Sequence, residues 1–345
     1  MTDGRFWGLE QRPFIIAEMS GNHNQSLETA LRIVDAAADA GANALKLQTY
    51  SEDTMTLDLE EKDFRITDPK SLWAGQSLYS LYEKAKTPLD WHKPIMDQAK
   101  SRGMLCFSSP FDEAAVDFLE TLDVPAYKIA SFECTDLPLI NKAAATGKPL
   151  IISTGMATVG EIADAVDAAR AAGCKDIVLL KCTSTYPASP ESTNLRAIPQ
   201  MRALFDCEVG LSDHTSGIGA AVAAVAFGAS VIEKHFTLDR ADGGVDSAFS
   251  LEPDELEALV RESKTAWLAL GQAKIGPTEA EKDSRLRRRS IYVAEDMQVG
   301  DEFTTTNLRR IRPGHGLPPK YYSELLGKKA AKAIKKGTPM SWDLL

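Results

Sequence analysis

Two histidines stand at the ends of apolar runs, in the strings GLSDHT and VIEKHF. His214 follows Asp213, and His235 follows Glu233 and Lys234. Two neutral imidazoles on neighbouring strands can hold one divalent ion and leave coordination positions open for water or substrate. Either histidine alone would more often form a hydrogen bond within the fold, but the two together favour a metal site.

Lys46 and Lys128 lie inside apolar runs, where a lysine is rarely buried without a partner. Three interpretations are open. They are Schiff-base chemistry by an amine whose pKa burial lowers, a clamp for phosphate or carboxylate assisted by Ser131 and Ser153, and a structural ion pair with a glutamate. The acidic balance of the chain favours the clamp, because an anionic substrate then needs a few well-placed cations.

Polar residues also stand at the ends of the other apolar runs. They are Glu18, the turn at 20–24, Gln48, Ser108, Ser109, Thr154, Lys181, Thr183 and Tyr186. A polar group in an apolar strand costs free energy unless it is paired or used, so this number at corresponding places predicts an active site. For the turn at 20–24, ordinary turn chemistry leading into a helix cap at Ser26 is an equal alternative.

The apolar runs themselves predict eight strands, at residues 14–19, 44–48, 104–108, 126–130, 150–154, 177–182, 209–212 and 231–236. Several are continuous Val, Ile and Leu runs, typical of parallel strands buried on both faces. Helical spacing lies between them, as in residues 27–38, which Ser26 caps and Gly41 follows. We therefore predict an α/β fold for residues 1–270, a (β/α)8 TIM barrel whose strand ends face the active site. The alternative, a doubly wound open sheet, lacks a glycine-rich fingerprint after the first strand.

Three segments fall outside this repeating pattern. Residues 51–89 are too long for an ordinary connection and include LWAGQSLYSLYEKAKTP, which predicts an extra helix and loop over the barrel mouth. Residues 271–289 are charged and weakly apolar, as in a linker. Residues 290–345 predict a small domain of short strands and turns that leans on a partner surface for stability, with Arg312 in its Pro/Gly-rich loop.

Composition argues against several classes of protein. The 345 residues carry a net charge of −10, although the segment from residue 278 onward holds 14 basic and 9 acidic residues. The acidic remainder argues against nonspecific nucleic-acid binding. The five cysteines form no CxxC pair, which disfavours a disulfide framework or zinc site and favours a reducing cytoplasm. The N-terminal segment lacks a secretory apolar run, and the longest uncharged stretch, at 217–232, is too short to span a membrane.

Eight strings resemble, in order, the sialic acid synthase family: IIAEMSGNHN, LKLQTY, FSSPFD, YKIAS, IISTGMA, LLKCTSTYP, GLSDHT and VIEKHFTLDR. The resemblance implies a phosphoenolpyruvate-condensing barrel followed by a small antifreeze-like (SAF) domain. It implies a transferase that joins phosphoenolpyruvate to an acylamino hexose and water, giving a nine-carbon 2-keto acid and phosphate. MSGNHNQ, GGVDSAFSLEP and the LWAGQ segment are more similar to the pseudaminic acid branch than to the N-acetylneuraminate branch. A synthase of N-acetylneuraminic or legionaminic acid, with the same chemistry, is the alternative.

The resemblance also implies roles for individual residues. His214 and His235 match the metal ligands, for Mn²⁺ first and Mg²⁺ or Co²⁺ as alternatives. The positions that match phosphoenolpyruvate contacts are Lys46, Lys128, Ser131 and Ser153, and Ser109 is a further expected substrate-binding residue. The positions expected near the sugar and the reacting carbonyl are Gln48, Tyr186 and Asp246. Glu18, with Glu233 second, is the candidate to handle the water proton, and Arg312 matches an arginine that reaches the partner's barrel in a domain-swapped homodimer.

Two rival functions follow from the same residues. A Schiff-base lyase or aldolase would use Lys128 or Lys46 as its amine. A carbohydrate-binding or ice-binding protein would be built on the small C-terminal domain. The set of lysine, glutamate and histidine at the barrel rim argues against the binding protein, because a binding module does not need those groups together.

Overall fold

In the computed structural model, which describes residues 6–69 and 71–345, eight parallel strands close into a barrel in chain order. The strands are β1 Phe14–Glu18, β2 Ala44–Thr49, β3 Leu105–Pro110, β4 Tyr127–Ile129, β5 Leu150–Ser153, β6 Ile177–Cys182, β7 Glu208–Asp213 and β8 Val231–His235. Every residue of β1, β4, β5 and β8 is buried, as expected of strands packed on both faces. The predicted (β/α)8 barrel is confirmed. Residues 1–5, which belong to the segment expected to lack a secretory signal, lie outside the described residues.

Helices connect the strands around the barrel. They are α1 Leu27–Asp39, α2 Glu52–Met55, α3 Leu78–Ala85, α4 Leu89–Ser101, α5 Glu113–Thr121, α6 Leu137–Ala144, α7 Val159–Ala171, α8 Ala197–Phe205, α9 Gly219–Ala226 and α10 Pro253–Leu270. Ser26 caps α1 by accepting a hydrogen bond from the backbone N–H of Thr29, and Gly41 follows the helix with a φ of +86°. Over the described part of the chain, no helix combines the length and the apolar character needed to cross a membrane.

Most observed strands differ from the predicted bounds by one residue at an end, and β3 and β4 show the backbone reasons. β3 runs two residues further than expected, because Ser109 and Pro110 pair in register with Gln48 and Thr49. Main-chain pairing does not depend on side-chain polarity, so the change from apolar to polar residues marked the strand end too early. β4 is only three residues long, because the chain turns into a short 3-10 helix at Ser131–Glu133.

The long segment at 51–89 contains α2 and α3 and is tied to loops at the mouth of the barrel. The side-chain amide of Gln25 donates hydrogen bonds to the carbonyls of Lys84 and Lys86, at 2.9 and 2.8 Å. The indole N–H of Trp73 donates to the carbonyl of Val245, at 2.9 Å, after β8. The extra helix and loop predicted for this segment are therefore present, and they contact the loops after the first and last strands.

The second compact unit is Gln272–Leu345. It contains a short helix α11 Lys282–Arg285, an antiparallel pair β9 Ser290–Val293 and β10 Leu308–Ile311, and a short helix α12 Tyr322–Leu325. Its core is built on Ile291, Phe303 and Leu325, which are fully buried. Residues 272–289 are all exposed, which agrees with their charged composition.

Candidate active site

Four charged side chains meet inside the C-terminal end of the barrel, and all four are buried. Lys46 Nζ lies 2.5 Å from Glu18 Oε2 and 3.9 Å from Glu233 Oε2. Lys128 Nζ lies 3.6 Å from Glu233 Oε1. The two lysines and two glutamates balance one another, which is how buried charges are tolerated. The structural ion pair that the sequence left open is therefore present, and it lies where a substrate would bind.

Serine hydroxyls complete the surroundings of the two lysines. Lys46 Nζ donates to Ser109 Oγ at 3.3 Å, and Lys128 Nζ donates to Ser153 Oγ at 2.7 Å. An ammonium next to a hydroxyl offers several hydrogen-bond donors to a phosphate or carboxylate oxygen. The two lysine–serine pairs are thus suited to the two anionic groups of one small molecule.

A backbone cradle lies beside Ser131. The backbone N–H of Gly155 donates to Ser131 Oγ at 3.2 Å. A Cβ added at Gly155 would come within 2.1 Å of Ser184 Oγ and 2.8 Å of Ser131 Oγ, so only glycine fits between the two hydroxyls. The Ser131 and Ser184 hydroxyls that lie on either side of this glycine are suitable contacts for phosphate. Sequence analysis did not single out Ser184.

The pKa values of the two glutamates are shifted in opposite directions although both side chains are buried. Burial raises the pKa of Glu18 to about 7, with Lys46 opposing the shift. Burial also acts on Glu233, but Lys128 and Lys46 together hold its pKa below the ordinary value. Glu233 therefore remains a carboxylate that serves the lysines.

His214 and His235 face each other across β7 and β8, with ring centroids 5.3 Å apart. His214 Nδ1 lies 3.0 Å from the carbonyl of Thr183, so this nitrogen carries the proton and Nε2 is free to bind a metal. His235 Nδ1 is buried and accepts no hydrogen bond from the described residues, and Asp246 Oδ2 is 3.7 Å away. An orphaned nitrogen next to a free one fits a divalent ion. Within the described residues, no three metal-binding side chains converge, so water or substrate would supply the other ligands.

Aromatic rings line the mouth beside the histidines. The Tyr186 ring lies 4.6 Å from His214, 5.3 Å from Phe249 and 6.0 Å from Trp73, measured between centroids. Phe249 lies 4.9 Å from His235. These rings give the histidine side of the barrel mouth an apolar surface, which suits the non-reacting part of a substrate.

Gln48 and Asp246 complete the polar side of the mouth. The Gln48 amide donates to Glu18 Oε1 at 2.9 Å, and Ser20 Oγ donates to Asp246 Oδ2. The structure thus brings together the candidate residues predicted in the barrel. Arg312 is exposed in the loop after β10, in the second unit.

Some strand-end residues that were expected to converge on the site face away from it. Side chains alternate along a strand, so neighbours of the inward residues point outward. Asp213 pairs with Lys234, and Ser108 bonds to Thr49, behind the barrel wall. The interpretation of every strand-end polar residue as part of the site was therefore wrong for these positions. The turn at 20–24 has a largely structural role, as Asn22 donates to the carbonyl of Phe236.

Glu133 is a candidate that sequence analysis missed. It lies in the 3-10 turn after β4, its Oε2 is buried without a hydrogen-bond partner among the described residues, and burial raises its pKa to about 7. The charge of Lys128 acts on it in the opposite direction. No strand pattern marks this position, because the turn follows the strand end by two residues.

Glu133→Gln should change the pH dependence of stability. A raised pKa means that the folded protein binds more protons than the unfolded chain between about pH 4.5 and 7, so stability falls as pH rises through this range. The variant should therefore gain stability relative to wild type at pH 8, by up to about 3 kcal/mol, and little at pH 5. Melting temperatures at both pH values measure this. The exposed Glu28→Gln is the control, and an equal effect of Glu133→Gln at both pH values would contradict the assignment.

Comparison with known proteins adds an independent line of evidence. The NeuB family model matches residues 33–275, and the SAF domain model matches residues 288–345. A pseudaminic acid synthase of Campylobacter jejuni is 47% identical over 98% of this chain and 97% of its own length. A pseudaminic acid synthase of Helicobacter pylori is 44% identical over 96% and 98%.

A solved structure shares the architecture. The N-acetylneuraminic acid synthetase of Leptospira borgpetersenii, in complex with citrate, superimposes with a TM-score of 0.73 at 33% identity, covering 82% of this chain and 94% of the other. The family model covers more than half of the chain, and the relatives align over nearly all of it. With its barrel and its small SAF domain, the chain belongs to the NeuB family.

Proposed function

We propose that this protein condenses phosphoenolpyruvate with 2,4-diacetamido-2,4,6-trideoxy-L-altrose and water to give pseudaminic acid and phosphate. The observation that carries the proposal is that two lysine–serine anion sites and two facing imidazoles share one barrel mouth. The lysine–serine sites suit phosphoenolpyruvate, and the two imidazoles suit the activation of an aldehyde. The names of the Campylobacter and Helicobacter relatives support the choice of sugar.

Phosphoenolpyruvate binds through its phosphate and carboxylate to the lysine pairs. Lys46 with Ser109 and Lys128 with Ser153 supply the charged donors. The hydroxyl of Ser131, which accepts a hydrogen bond from the N–H of Gly155, supplies a neutral donor beside them. Such donors act strongly in a buried site, because the low local dielectric strengthens each hydrogen bond and no solvent must reorganise.

His214 and His235 would hold the divalent ion, and Mn²⁺ suits an imidazole pair completed by oxygen ligands. When bound, the ion supplies Lewis acidity toward the aldehyde oxygen of the open-chain sugar. The side chains fix the rest of the geometry. Tyr186, Phe249 and Trp73 offer an apolar wall to the sugar, and Gln48 and Asp246 offer hydrogen bonds.

The reaction forms one carbon–carbon bond and releases phosphate. C3 of phosphoenolpyruvate attacks the aldehyde carbon, and positive charge develops at C2. The former aldehyde oxygen takes up one proton and becomes a hydroxyl. Water adds at C2 and gives up one proton to a base. The C2–O bond to phosphate then breaks as the new C2 hydroxyl loses its remaining proton and becomes the ketone. Glu18 is the first candidate to accept the water proton, because it lies between Lys46 and Gln48 next to the substrate site. Glu233 is the second candidate, and Glu133 can donate a proton to the leaving phosphate.

The test is phosphate release from phosphoenolpyruvate and Mn²⁺ with a panel of sugars. The panel holds the diacetamido altrose, N-acetylmannosamine and the corresponding diacetamido mannose derivative. Release with the altrose alone, abolished by a chelator, is the expected result. Release with N-acetylmannosamine would assign the chain to sialic acid synthesis, and the absence of release with every sugar would overturn the condensation.

We expect Arg312 to act on the barrel of a partner subunit in a homodimer. Arg312→Ala should then be inactive alone, as should Lys128→Met. Mixing and re-associating the two variants should restore about a quarter of wild-type activity, because half of the dimers then carry one intact composite site. Phosphate release by the mixture measures this. No recovery would show that Arg312 does not act across subunits, and full activity of Arg312→Ala alone would exclude any role.

A further inference from the structure

Asp213 and Lys234 form a fully buried ion pair on the outer face of the barrel, directly behind the two histidines. Lys234 Nζ lies 3.0 Å from Asp213 Oδ2, and neither side chain has exposed surface. The parallel register pairs Asp213 with Lys234 and Ser212 with Glu233. Since side chains alternate along a strand, the ion pair lies on the opposite face from Glu233, and each partner is followed by a histidine that faces the site.

The pair holds the peptide groups on both sides of Thr215. Asp213 Oδ1 accepts a hydrogen bond from the backbone N–H of Thr215 at 3.0 Å, which closes an Asx turn around His214. Lys234 Nζ donates to the carbonyl of the same Thr215. The backbone around His214 is therefore fixed by its own strand and by the neighbouring strand, which also carries His235.

Stability alone does not account for this arrangement. Removing two charges from water offsets most of their attraction, and apolar residues of similar volume are often equally stable in their place. An apolar pair would pack behind β7 and β8, but it could not bond to the N–H and carbonyl of Thr215. What the ion pair adds is a defined position of His214 relative to His235.

We propose that Asp213 and Lys234 are positioning residues that set the separation and orientation of the two imidazoles for one divalent ion. The proposal rests on the proposed function in one respect, namely that His214 and His235 bind metal. Neither positioning residue touches substrate or metal. Their loss should weaken metal binding about 10- to 100-fold, the range typical of groups that orient metal-binding histidines.

The experiment titrates Mn²⁺ alone into the full-length protein and follows free Mn²⁺ by electron paramagnetic resonance. The main variant, Asp213→Leu/Lys234→Met, removes both charges together and leaves no unpaired charge buried. Its melting temperature should fall no further than that of the control variant Arg202→Met, because only the bonds to Thr215 are lost, while Mn²⁺ affinity falls about 10- to 100-fold. Asp213→Asn/Lys234→Met keeps an acceptor for the Asx turn and should recover part of the affinity. This second variant keeps the test usable if the leucine variant does not fold.

The opposite end of β7 provides a matched control. Arg202 Nη2 lies 3.1 Å from Glu208 Oε2 and donates to the carbonyl of Gly228 at 2.8 Å, so it also ties β7 to the chain that precedes β8. Arg202→Met should lower the melting temperature without changing Mn²⁺ affinity. A merely structural role for Asp213 and Lys234 predicts the same behaviour for their variants.

The results distinguish the positioning role of Asp213 and Lys234 from the metal site itself. Wild-type affinity in both double variants, with binding lost in His214→Ala, would overturn the positioning role and leave the metal site intact. Equal Mn²⁺ affinity of wild type and His214→Ala would overturn the metal assignment, and the positioning role with it. Weakened binding in the leucine variant, with a melting temperature no lower than that of Arg202→Met and with unchanged Mn²⁺ affinity in Arg202→Met, supports the proposal.

Discussion

Lys128→Met should abolish turnover of phosphoenolpyruvate while leaving metal binding unchanged. Lys128 Nζ is buried, donates to Ser153 Oγ at 2.7 Å and lies 3.6 Å from Glu233 Oε1. Methionine keeps the volume but removes the charge, which leaves an anionic ligand facing a carboxylate without compensation. Loss of one preorganised donor to developing charge costs about 10²- to 10³-fold in rate, and the unbalanced Glu233 should add to this.

Initial rates of phosphate release at varied phosphoenolpyruvate measure this effect, and Mn²⁺ titration measures the metal site separately. Lys142→Met is the control, because Lys142 forms a surface ion pair with Asp117 at 2.6 Å on the outside of the barrel. It should leave both quantities unchanged. A loss of less than about tenfold in kcat/KM for Lys128→Met would contradict the anion-binding role.

A Schiff-base enzyme would also lose activity in Lys128→Met, so a second measurement is needed. Burial lowers the pKa of Lys128, with Glu233 opposing, and a lowered amine pKa is the direction that a Schiff-base lysine needs. The distinguishing step is covalent, since borohydride reduces an imine to a stable amine adduct. The wild-type protein, treated with borohydride in the presence of pyruvate or both substrates, should keep its unmodified mass.

The barrel could be predicted because its strands are buried on both faces. β6 at Ile177–Cys182 and β5 at Leu150–Ser153 are runs of apolar residues with little ambiguity about type. The predicted ends of the short β4 and the extended β3 were less accurate. A turn decides where β4 ends, and main-chain pairing decides where β3 ends. Local patterns therefore predict which strands exist better than where they end.

The site could be predicted in part from the same strands. Lys46, Lys128 and Glu233 stood out because charge within an apolar run must be paired or used. The same rule gave the wrong direction for Lys234, whose cost is met by Asp213 behind the barrel wall. Sequence alone does not show which face of a fully buried strand is the inner one, since both faces are apolar.

Glu133 could not be predicted for a different reason. It follows β4 in a 3-10 turn, and its burial depends on packing against elements far away in the chain. The pKa of Tyr82 in α3 is raised mainly by burial and secondly by the charge of Glu133. The two groups are therefore near each other in the fold. Only the folded chain brings the segment at 51–89 to this side of the site.

His214→Ala should abolish turnover by weakening metal binding, whereas Lys128→Met should do so by weakening the interaction with phosphoenolpyruvate. It deletes one of two facing imidazoles, so Mn²⁺ affinity should fall by more than the roughly 100-fold that loss of an orienting partner produces. Binding of phosphoenolpyruvate, which depends on the lysine pairs, should remain, as calorimetric titration of the variant would show. The matched control is His92→Asn, since His92 is equally buried but bonds to Thr49 Oγ1 at 2.8 Å and to the carbonyl of Pro88.

The dependence of activity on Mn²⁺ concentration in His214→Ala shows whether His214 is a metal ligand or a proton-transfer group. If His214 holds the ion, raising Mn²⁺ restores occupancy by mass action, so the variant should regain part of its activity as Mn²⁺ increases. A histidine that only moved a proton would leave metal affinity unchanged, and extra Mn²⁺ would restore nothing. Both variants should lose activity, but Lys128→Met should keep Mn²⁺ binding and His214→Ala should keep phosphoenolpyruvate binding. This pattern is expected only if one site holds the anion and the metal on different side chains.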